Sequence, residues 1–321
     1  MNPLQHPLPH GGNIESIARQ WACDPTDILD LSTGLHPAGQ PLWLGKWLQE
    51  HASWAASYPD IHGEPARQAV ADEFSVPVEH VCIVAGAQAV IEVIFQAMQW
   101  SSIAIQVPCY SEPIRCARRA GCDVLSFVED EAVPNADALW WTSPHNPSGQ
   151  QHPMPAAKQG VLDESYMAFS ERRSLGVLPN IIRLGSLTKT FAIPGLRLGY
   201  VIAESRRIQQ LKAWLPPWPT ATFALHLLPR LLSEADMRDA SITTARQRLT
   251  TLLKAHQWQC QPSQASFVLA KPPQKMPDFD RHHILVRSFP EWPQLHGWVR
   301  LGLPHTDADW LRLERSLCPS P

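Results

Sequence analysis

The sequence lacks any apolar run that approaches the roughly 20 residues needed for a membrane-spanning helix. Its first residues, Met1–His10, lack the basic stretch and apolar core that mark a signal peptide. An excess of one charge is also lacking, since 27 Lys and Arg stand against 30 Asp and Glu and the formal net charge is −3. These absences predict a cytoplasmic protein that binds neither nucleic acid nor a membrane surface.

Paired cysteines are lacking as well. The seven cysteines are odd in number and no two form a C-x-x-C pair, so neither a disulfide framework nor a structural zinc site is expected. The 14 histidines, which include His6/His10 and His282/His283, have no zinc-binding spacing. We therefore expect free thiols and no metal.

Apolar residues make up 44% of the 321 residues, which suits one large domain and a smaller one. Strand and helix patterns alternate in the middle of the chain. Strands are predicted at 81–84, 102–107, 124–128, 138–142, 161–162, 181–184 and 198–203, and helices at 88–98 and 112–120. This alternation predicts an α/β domain with a mostly parallel sheet flanked by helices, whose ligands collect beyond the carboxyl ends of the strands.

The pattern changes after the proline-rich stretch 215–219. A helical region is predicted at 221–256 with an interruption near Pro229, and a final helix after Thr306, which forms a capping-box pattern with Asp309. Short strands are predicted at 266–270, 284–289 and 297–303. We expect a smaller α+β domain over 216–321, a large domain over 41–215, and an N-terminal segment over 1–40 that joins the small domain and the active site.

Lys189 is the residue whose surroundings suggest chemistry. A lysine amine forms a Schiff base with an aldehyde cofactor, of which pyridoxal 5'-phosphate (PLP) is the common example. Hydroxyls of Ser186 and Thr188 and the guanidinium of Arg197 are suited to binding its phosphate. The alternative is a surface lysine before a strand punctuated by glycine.

PLP also needs an anion at its ring nitrogen, a donor to its phenolic oxygen and a phosphate cradle. Asp163 ends a predicted strand and Tyr166 follows three residues later, although an exposed acidic turn is the alternative. Asn146 offers an amide donor, or an ordinary Asn-Pro turn. Gly86, Ala87 and Gln88 stand at the start of a helix that could bind phosphate. Tyr110 could stack on the ring or simply pack.

The order of these segments resembles that of fold-type I PLP enzymes of the class I/II aminotransferase superfamily, from about Leu31 to Leu317. The resemblance implies PLP as cofactor and Lys189 as Schiff-base lysine and proton shuttle. It implies Asp163 as partner of the pyridinium, Asn146 and Tyr166 as donors to the phenolic oxygen, and Tyr110 as the stacking ring. The implied phosphate cup is Ser186, Arg197 and Gly86-Ala87-Gln88. Tyr58 resembles a tyrosine that reaches the cofactor of a neighbouring subunit, which implies a homodimer with shared active sites.

The two ends of the chain resemble one branch of that superfamily. Pro9-His10-Gly11-Gly12-Asn13 and Asp30–Pro37 are similar to the opening of the threonine-phosphate decarboxylases of cobalamin biosynthesis, in their short proteobacterial branch. Val286–Phe289 and Arg300–Pro304 are similar to that branch as well. The sequence departs from the usual pattern at His36, where Asn is usual, and at Ala87-Gln88. The resemblance implies that His10, Gly34, Arg287 and Arg300 bind a small phosphorylated amino acid.

Three functions remain open at this point. The first is decarboxylation of L-threonine O-3-phosphate to (R)-1-amino-2-propanol phosphate. The second is transamination of a phosphate-bearing substrate, as in histidinol-phosphate aminotransferases, which share the core but usually lack the His-Gly-Gly-Asn opening. The third is a non-catalytic regulator or scaffold of the same fold, against which the intact Lys189, Asp163, Asn146 and Arg197 count.

Overall fold

Apolar runs in the middle of the chain form a seven-stranded sheet in the computed structural model, which describes residues 10–170, 176–234 and 239–318. The strands are β1 (Leu29–Asp30), β2 (Val81–Val84), β3 (Ser102–Gln106), β4 (Asp123–Phe127), β5 (Ala138–Thr142), β6 (Gly160–Asp163), β7 (Ile181–Ser186), β8 (Gly199–Ile202), β9 (Gln259–Cys260), β10 (Phe267–Lys271), β11 (Ile284–Leu285), β12 (Arg287–Ser288) and β13 (Val299–Gly302). The α-helices are α1 (Ile14–Trp21), α2 (Leu44–Glu50), α3 (Ala66–Glu73), α4 (Ala87–Met98), α5 (Glu112–Arg119), α6 (Leu187–Thr190), α7 (Ser205–Lys212), α8 (Thr222–Ser233), α9 (Asp239–Ala255) and α10 (Asp307–Leu317).

The large sheet has the strand order β2-β8-β7-β6-β5-β3-β4. Of these strands, β8 alone runs antiparallel to its neighbours. The predicted α/β class with a mostly parallel sheet is therefore confirmed. Parallel strands joined by helices end at the same edge of the sheet, and that edge carries the site.

Helices cover both faces of this sheet, which explains why its strands are apolar at nearly every position. On strand β2, Cys82 and Val84 point into a core shared with α4, α5 and α7, whereas Val81 and Ile83 point into a core shared with α2, α3 and α8. The alternation follows from the two-residue period of a strand. None of the helices in the part of the chain that the structure describes is long and apolar enough to cross a membrane.

The small domain contains an antiparallel sheet of order β12-β13-β10-β9 with helices α9 and α10. Strand β1 of the N-terminal segment pairs with β11, and Leu29 and Leu31 pack in the small-domain core. Helix α10 begins with the predicted capping box, because the Thr306 hydroxyl accepts from the Asp309 N–H and the Asp309 carboxylate accepts from the Thr306 N–H.

Two predicted elements were wrong in detail. The strand expected at 284–289 is two short strands, because β11 pairs with β1 while β12 pairs with β13. The helix interruption expected near Pro229 does not occur there, since α8 continues through Pro229 to Ser233. Its neighbours Leu225, Leu228 and Leu231 are fully or almost fully buried. Their burial, at about 1.5–3 kcal/mol for each side chain, offsets the hydrogen bond lost at proline.

The domain division at residue 215 stays a prediction, and the packing of α8 bears on it. The leucines of α8 belong to the core that α2 and α3 form against the large sheet. We propose that the large domain includes α8 and that the boundary follows Ser233. The proline-rich stretch at 215–219 then connects two helices of one domain.

Candidate active site

A cavity of about 430 Å³ lies at the carboxyl ends of β5, β6 and β7, between the large sheet, the small domain and the N-terminal segment. All the site residues predicted from sequence except Tyr58 and Gly34 line it: His10, Gly86, Ala87, Gln88, Tyr110, Asn146, Asp163, Tyr166, Ser186, Lys189, Arg197, Arg287 and Arg300. The structure thus brings together segments that are distant in sequence. Their individual roles stay predictions.

Lys189 lies on α6, the single helical turn that follows β7. Its Nζ atom is 5.1 Å from the centroid of the Tyr166 ring, and its backbone carbonyl accepts a hydrogen bond from His36 N at 3.0 Å. The segment that follows β1 is therefore held directly against the lysine. Tyr166 is itself fixed by an edge contact with Phe267, with ring centroids 4.9 Å apart.

Asp163 ends β6 with its side chain buried. Its Oδ1 accepts from Ser165 N at 3.0 Å and from Ser165 Oγ at 2.6 Å, while Oδ2 accepts no hydrogen bond from the described residues. Burial raises the pKa of Asp163, and the two Ser165 bonds and the charge of Lys189 oppose that rise. A carboxylate in this position suits a cationic ring nitrogen, which would favour its charged form.

An anion cradle is formed where β2 gives way to α4. Gly86 precedes the helix with φ of 76° and offers no side-chain cap, so the first N–H groups of the helix are available to an anion. A Cβ at Gly86 would lie 2.9 Å from Arg197 Nη2, so the glycine allows Arg197 to approach the turn. Ser186 Oγ and Thr188 Oγ1, 2.9 Å apart, complete a set of donors suited to phosphate.

The side chain of Gln88 is engaged away from the cradle. Its Oε1 accepts from the Tyr110 hydroxyl at 3.0 Å, and its Nε2 donates to Glu92 and Glu112. Gln88 can therefore contribute its backbone N–H to a phosphate while its amide orients Tyr110.

Arg300 joins three parts of the molecule at the cavity. Its Nη1 donates to Asn146 Oδ1 at 2.6 Å and its Nη2 donates to the Ser32 carbonyl, while the guanidinium lies 4.7 Å from the centroid of the Phe267 ring. The bond to Asn146 Oδ1 leaves the Asn146 amide nitrogen as a donor. Arg300 is buried, and its Nε has no partner among the described residues.

Arg287 is the cross-strand partner of Arg300, since β12 pairs with β13 at these two positions. Its Nη1 donates to Ser288 O at 2.6 Å, and its Nη2 forms an ion pair with Glu291. Burial lowers the pKa of Arg287 and the nearby Glu291 opposes that shift. Two arginines on one face of a small sheet are suited to binding a substrate with two anionic groups.

The N-terminal segment docks on the turn that follows β1. Gly12 N donates to Ser32 Oγ at 2.9 Å, and a Cβ at Gly11 would lie 2.6 Å from Ser32 O, so this approach requires glycine. Asp30 in turn accepts from the Ser32 N–H and hydroxyl and from the Thr33 hydroxyl. These contacts bring His10 to the cavity wall.

Two predicted residues lie outside the cavity lining. Gly34, with φ of 63°, packs beside Phe267 and Tyr166, and its carbonyl accepts from Ser266 Oγ at 2.6 Å. Its positive φ allows the chain to turn after β1. Tyr58 is 80% exposed and makes a tilted ring contact with Trp218, with ring centroids 4.6 Å apart. Its predicted contact with a neighbouring subunit stays a prediction.

Sequence reasoning missed several residues around the cavity. Glu291 could have been found, because it follows Arg287 by four residues. Asp30, Ser32 and Thr33 were read as a family motif without individual functions. Glu112, which contacts His10, has no local signal because 102 residues separate the pair.

The sheet order, the lysine turn and the anion cradle together define a class of protein. The chain belongs to the family described as aminotransferase class I and II, whose sequence profile matches residues 26–316. This confirms the superfamily predicted from the sequence.

Three relatives show which members of the family the chain resembles. The chain is 28% identical to a threonine-phosphate decarboxylase of Pseudomonas aeruginosa, over 97% of each protein. It is similar in structure to L-threonine-O-3-phosphate decarboxylase from Porphyromonas gingivalis, with a TM-score of 0.80 and 21% identity over 90% of this chain and 98% of the other. It is also similar to histidinol-phosphate aminotransferase from Sinorhizobium meliloti in complex with PLP, with a TM-score of 0.85 and 18% identity over 99% of this chain and 96% of the other.

PLP is the cofactor of this family, and the residues of the cavity fit it. The fit rests on the cradle that a Gly86 Cβ would fill, on the Asp163 oxygen that accepts no hydrogen bond from the described residues, and on Lys189 in the lining of the same cavity. Lys189 would hold the cofactor covalently, Asp163 would pair with its ring nitrogen, and Arg197, Ser186 and the start of α4 would hold its phosphate.

Proposed function

We propose that this protein is a PLP-dependent decarboxylase that converts L-threonine O-3-phosphate to (R)-1-amino-2-propanol O-2-phosphate and CO2 in cobalamin biosynthesis. The observation that carries the proposal is one cavity in which His10, Arg287 and Arg300 meet Lys189. The full-length match to the P. aeruginosa decarboxylase supports the choice of substrate. The histidine is supplied by the N-terminal segment that resembles these decarboxylases in sequence.

The division of charge suits a substrate with a carboxylate and a phosphate. Arg300, which donates to Asn146 and Ser32, is suited to the carboxylate, and Arg287 and His10, which line the same cavity, are suited to the phosphate. Two anchored anions fix the rotation of the substrate about its Cα. Orientation of this kind selects the reaction, because only a bond held perpendicular to the ring is weakened.

When bound, PLP withdraws electrons from that perpendicular bond. The protein's own residues hold the charge of the ring and transfer the proton. Asp163 would keep the ring nitrogen of the cofactor cationic, Lys189 would carry a proton to or from the reacting carbon, and Tyr110 lines the pocket. These interactions accelerate the reaction only where they favour the transition state over the bound substrate.

The second candidate is an aminotransferase acting on a phosphate-bearing amino substrate. The observation that favours it is the similarity to the S. meliloti histidinol-phosphate aminotransferase, which extends over 99% of this chain. The two reactions need the same cofactor residues and differ in which bond at Cα stands perpendicular to the ring. A non-catalytic scaffold is disfavoured by the assembled set of Lys189, Asp163, Asn146 and Arg197.

We infer that the protein acts as a homodimer with shared active sites. Tyr58, Ile61 and Trp218 form an exposed apolar patch in which the Tyr58 ring contacts the Trp218 ring, and Ile61 and Trp218 line one surface pocket. An apolar patch of aromatic residues is typical of an interface between subunits. A cytoplasmic location, predicted from the sequence, stays a prediction.

The test is to incubate the PLP-loaded protein with L-threonine O-3-phosphate in the absence of any keto acid, and to measure CO2 and aminopropanol phosphate. We expect stoichiometric release of both over many turnovers. A protein that releases no CO2, and instead transfers the amino group of a phosphate-bearing donor to a keto acid, would be an aminotransferase and would contradict the proposal.

A further inference from the structure

A charged network lies behind Tyr110 and has no place in the function described so far. Its centre is Glu112, the first residue of α5, whose side chain is 6% exposed. Glu112 Oε2 accepts from Arg115 Nε at 2.7 Å and from Gln88 Nε2 at 3.2 Å, and Oε1 accepts from His10 Nε2 at 3.0 Å. One buried carboxylate therefore joins α5, the start of α4 and the N-terminal segment.

The partners of Glu112 keep it ionised. Burial by itself raises the pKa of Glu112, but the hydrogen bonds from His10 and Arg115 outweigh that effect and hold the pKa at about 2. Arg115 also forms an ion pair with Glu92, so its positive charge is shared between two carboxylates. The His10 imidazole contacts the carboxylate of Glu112. Without His10, Glu112 would lose one of the three side chains that hydrogen-bond to it.

The contact with Glu112 determines how His10 faces the cavity. Nε2 bonds to Glu112, whereas the other ring nitrogen, Nδ1, has no hydrogen bond to any described residue, so Nδ1 can donate to a phosphate when both ring nitrogens carry a hydrogen. The imidazole lines the cavity with its centroid 5.4 Å from that of Tyr110. Arg287 lines the same cavity as His10 and Tyr110.

His10 is held from two directions. On one side, Gly11 and Gly12 fit against Ser32, and on the other Glu112 fixes the imidazole. The backbone contacts place the segment, but they leave the side-chain rotation of His10 free. The Glu112 carboxylate restricts that rotation, and a restricted side chain loses less entropy when a ligand binds.

We propose that Glu112 is a positioning residue that fixes the His10 imidazole toward the substrate phosphate. The inference rests on the proposed function only in that it needs a substrate with a phosphate, whichever bond at Cα is broken. Glu112 contacts neither the cavity nor the cofactor residues other than Gln88, and acts through His10.

The test compares ligand binding by PLP-loaded variants in titration calorimetry, using 3-phosphoglycerate and glycerate, which carry a carboxylate with and without a phosphate and lack the amine that reacts with PLP. The variants are Glu112→Gln, His10→Ala and the double variant. We expect each to weaken binding of the phosphorylated ligand about tenfold, and the double variant to be no weaker than either single variant, since coupled residues are not additive. Binding of glycerate should change less than about twofold, because it has no phosphate for His10 to contact.

Glu129→Gln is the matched control, because the Glu129 carboxylate contacts His152 Nε2 at 3.2 Å on the surface. It should leave binding of both ligands unchanged. Amide hydrogen exchange supplies a readout that does not depend on activity. Exchange at residues 11–14 should become faster in Glu112→Gln and stay unchanged in Glu129→Gln.

Equal loss of affinity for the two ligands in Glu112→Gln, or additive losses in the double variant, would overturn the proposal. If Glu112→Gln does not fold, His10→Ala and His10→Gln decide the question. We then expect Ala to lose selectivity for the phosphorylated ligand and Gln to retain part of it, and equal behaviour of wild type and His10→Ala would overturn the proposal. Selective phosphate binding without CO2 release would contradict the proposed decarboxylation and leave the positioning by Glu112 supported.

Discussion

At Asp163, folding and function make opposite demands. Burial raises the pKa of this carboxyl, which means that the folded chain disfavours the charge that a cationic ring nitrogen requires. Because the native state holds the proton more tightly than the unfolded state, stability of the cofactor-free protein falls as pH rises from the ordinary value of 3.8 through the raised pKa. The cofactor supplies the opposite charge and removes this penalty.

The substitution Asp163→Asn should therefore separate the two effects. Asn keeps an oxygen for the Ser165 bonds and has no charge to bury, so we expect the cofactor-free variant to melt at least about 2 °C higher than wild type at neutral pH. Turnover of the loaded variant should fall about 10²-fold or more, since the ring nitrogen loses its counter-ion. Calorimetry and steady-state kinetics measure the two quantities.

Asp123→Asn is a suitable control, because Asp123 is an exposed aspartate at the start of β4. A cofactor-free Asp163→Asn protein less stable than wild type would contradict the account of Asp163.

Lys189 provides the second test at the residue scale. We expect Lys189→Ala to lose turnover by about 10³-fold or more, because it loses both the covalent link and the proton carrier. Its cofactor should separate on gel filtration and lack the visible absorbance of the lysine-bound form. Lys158→Ala, at an exposed lysine, should behave as wild type. Full function in Lys189→Ala would favour the scaffold alternative.

At the element scale, the start of α4 combines a positive φ at Gly86 with a close approach of Arg197. Gly86 and Gly121 both have positive φ, 76° and 74°, but a Cβ at Gly86 would meet Arg197 whereas one at Gly121 would have nothing within 4 Å. Alanine substitutions at these two glycines therefore distinguish the effect of backbone strain from the effect of a disrupted anion cradle.

We expect Gly86→Ala and Gly121→Ala to lower the free energy of unfolding by a similar amount, about 1 kcal/mol. Only Gly86→Ala should also raise the Kd for PLP, by about tenfold or more, because the new methyl group displaces Arg197 from the cradle. Denaturant unfolding and cofactor titration measure the two effects. Equal cofactor affinity in the two variants would show that Arg197 does not need this approach.

Short strands of the small domain decide where the arginines lie. The run 284–289 has the composition of one strand, yet it divides between two sheets, and the part in β12 sets Arg287 opposite Arg300. A single strand in one sheet would not bring the N-terminal segment and β13 together at the cavity. The pairing partners, which lie far away in sequence, determine this division.

At the scale of the whole molecule, the exposed patch of Tyr58, Ile61 and Trp218 makes the dimer testable. We expect Ile61→Glu to give a monomer in analytical ultracentrifugation, because a charge in an apolar interface is unfavourable. The Kd for PLP should rise about tenfold, since the partner's tyrosine no longer reaches the cofactor. Leu311→Glu, at an exposed leucine on α10, should remain a dimer. An Ile61→Glu monomer with normal cofactor affinity would contradict the shared active site, and an Ile61→Glu dimer would contradict this patch as the interface.

The sequence by itself determined the class of fold, the family and the set of chemical groups in the cavity. Strand and helix periodicity is local, and Lys189, Asp163, Asn146 and Arg197 lie in short motifs that can be read without knowing the fold. Even the capping box at Thr306 and Asp309 was readable, since its partners are three residues apart.

Only the tertiary structure decided which distant residues meet. It paired His10 with Glu112, placed Gly34 outside the cavity lining, packed α8 on the large sheet and divided the strand at 284–289. Each of these depends on a contact between segments that are far apart in the chain. Such contacts are determined by the packing of the whole core and leave no periodic pattern in the local sequence.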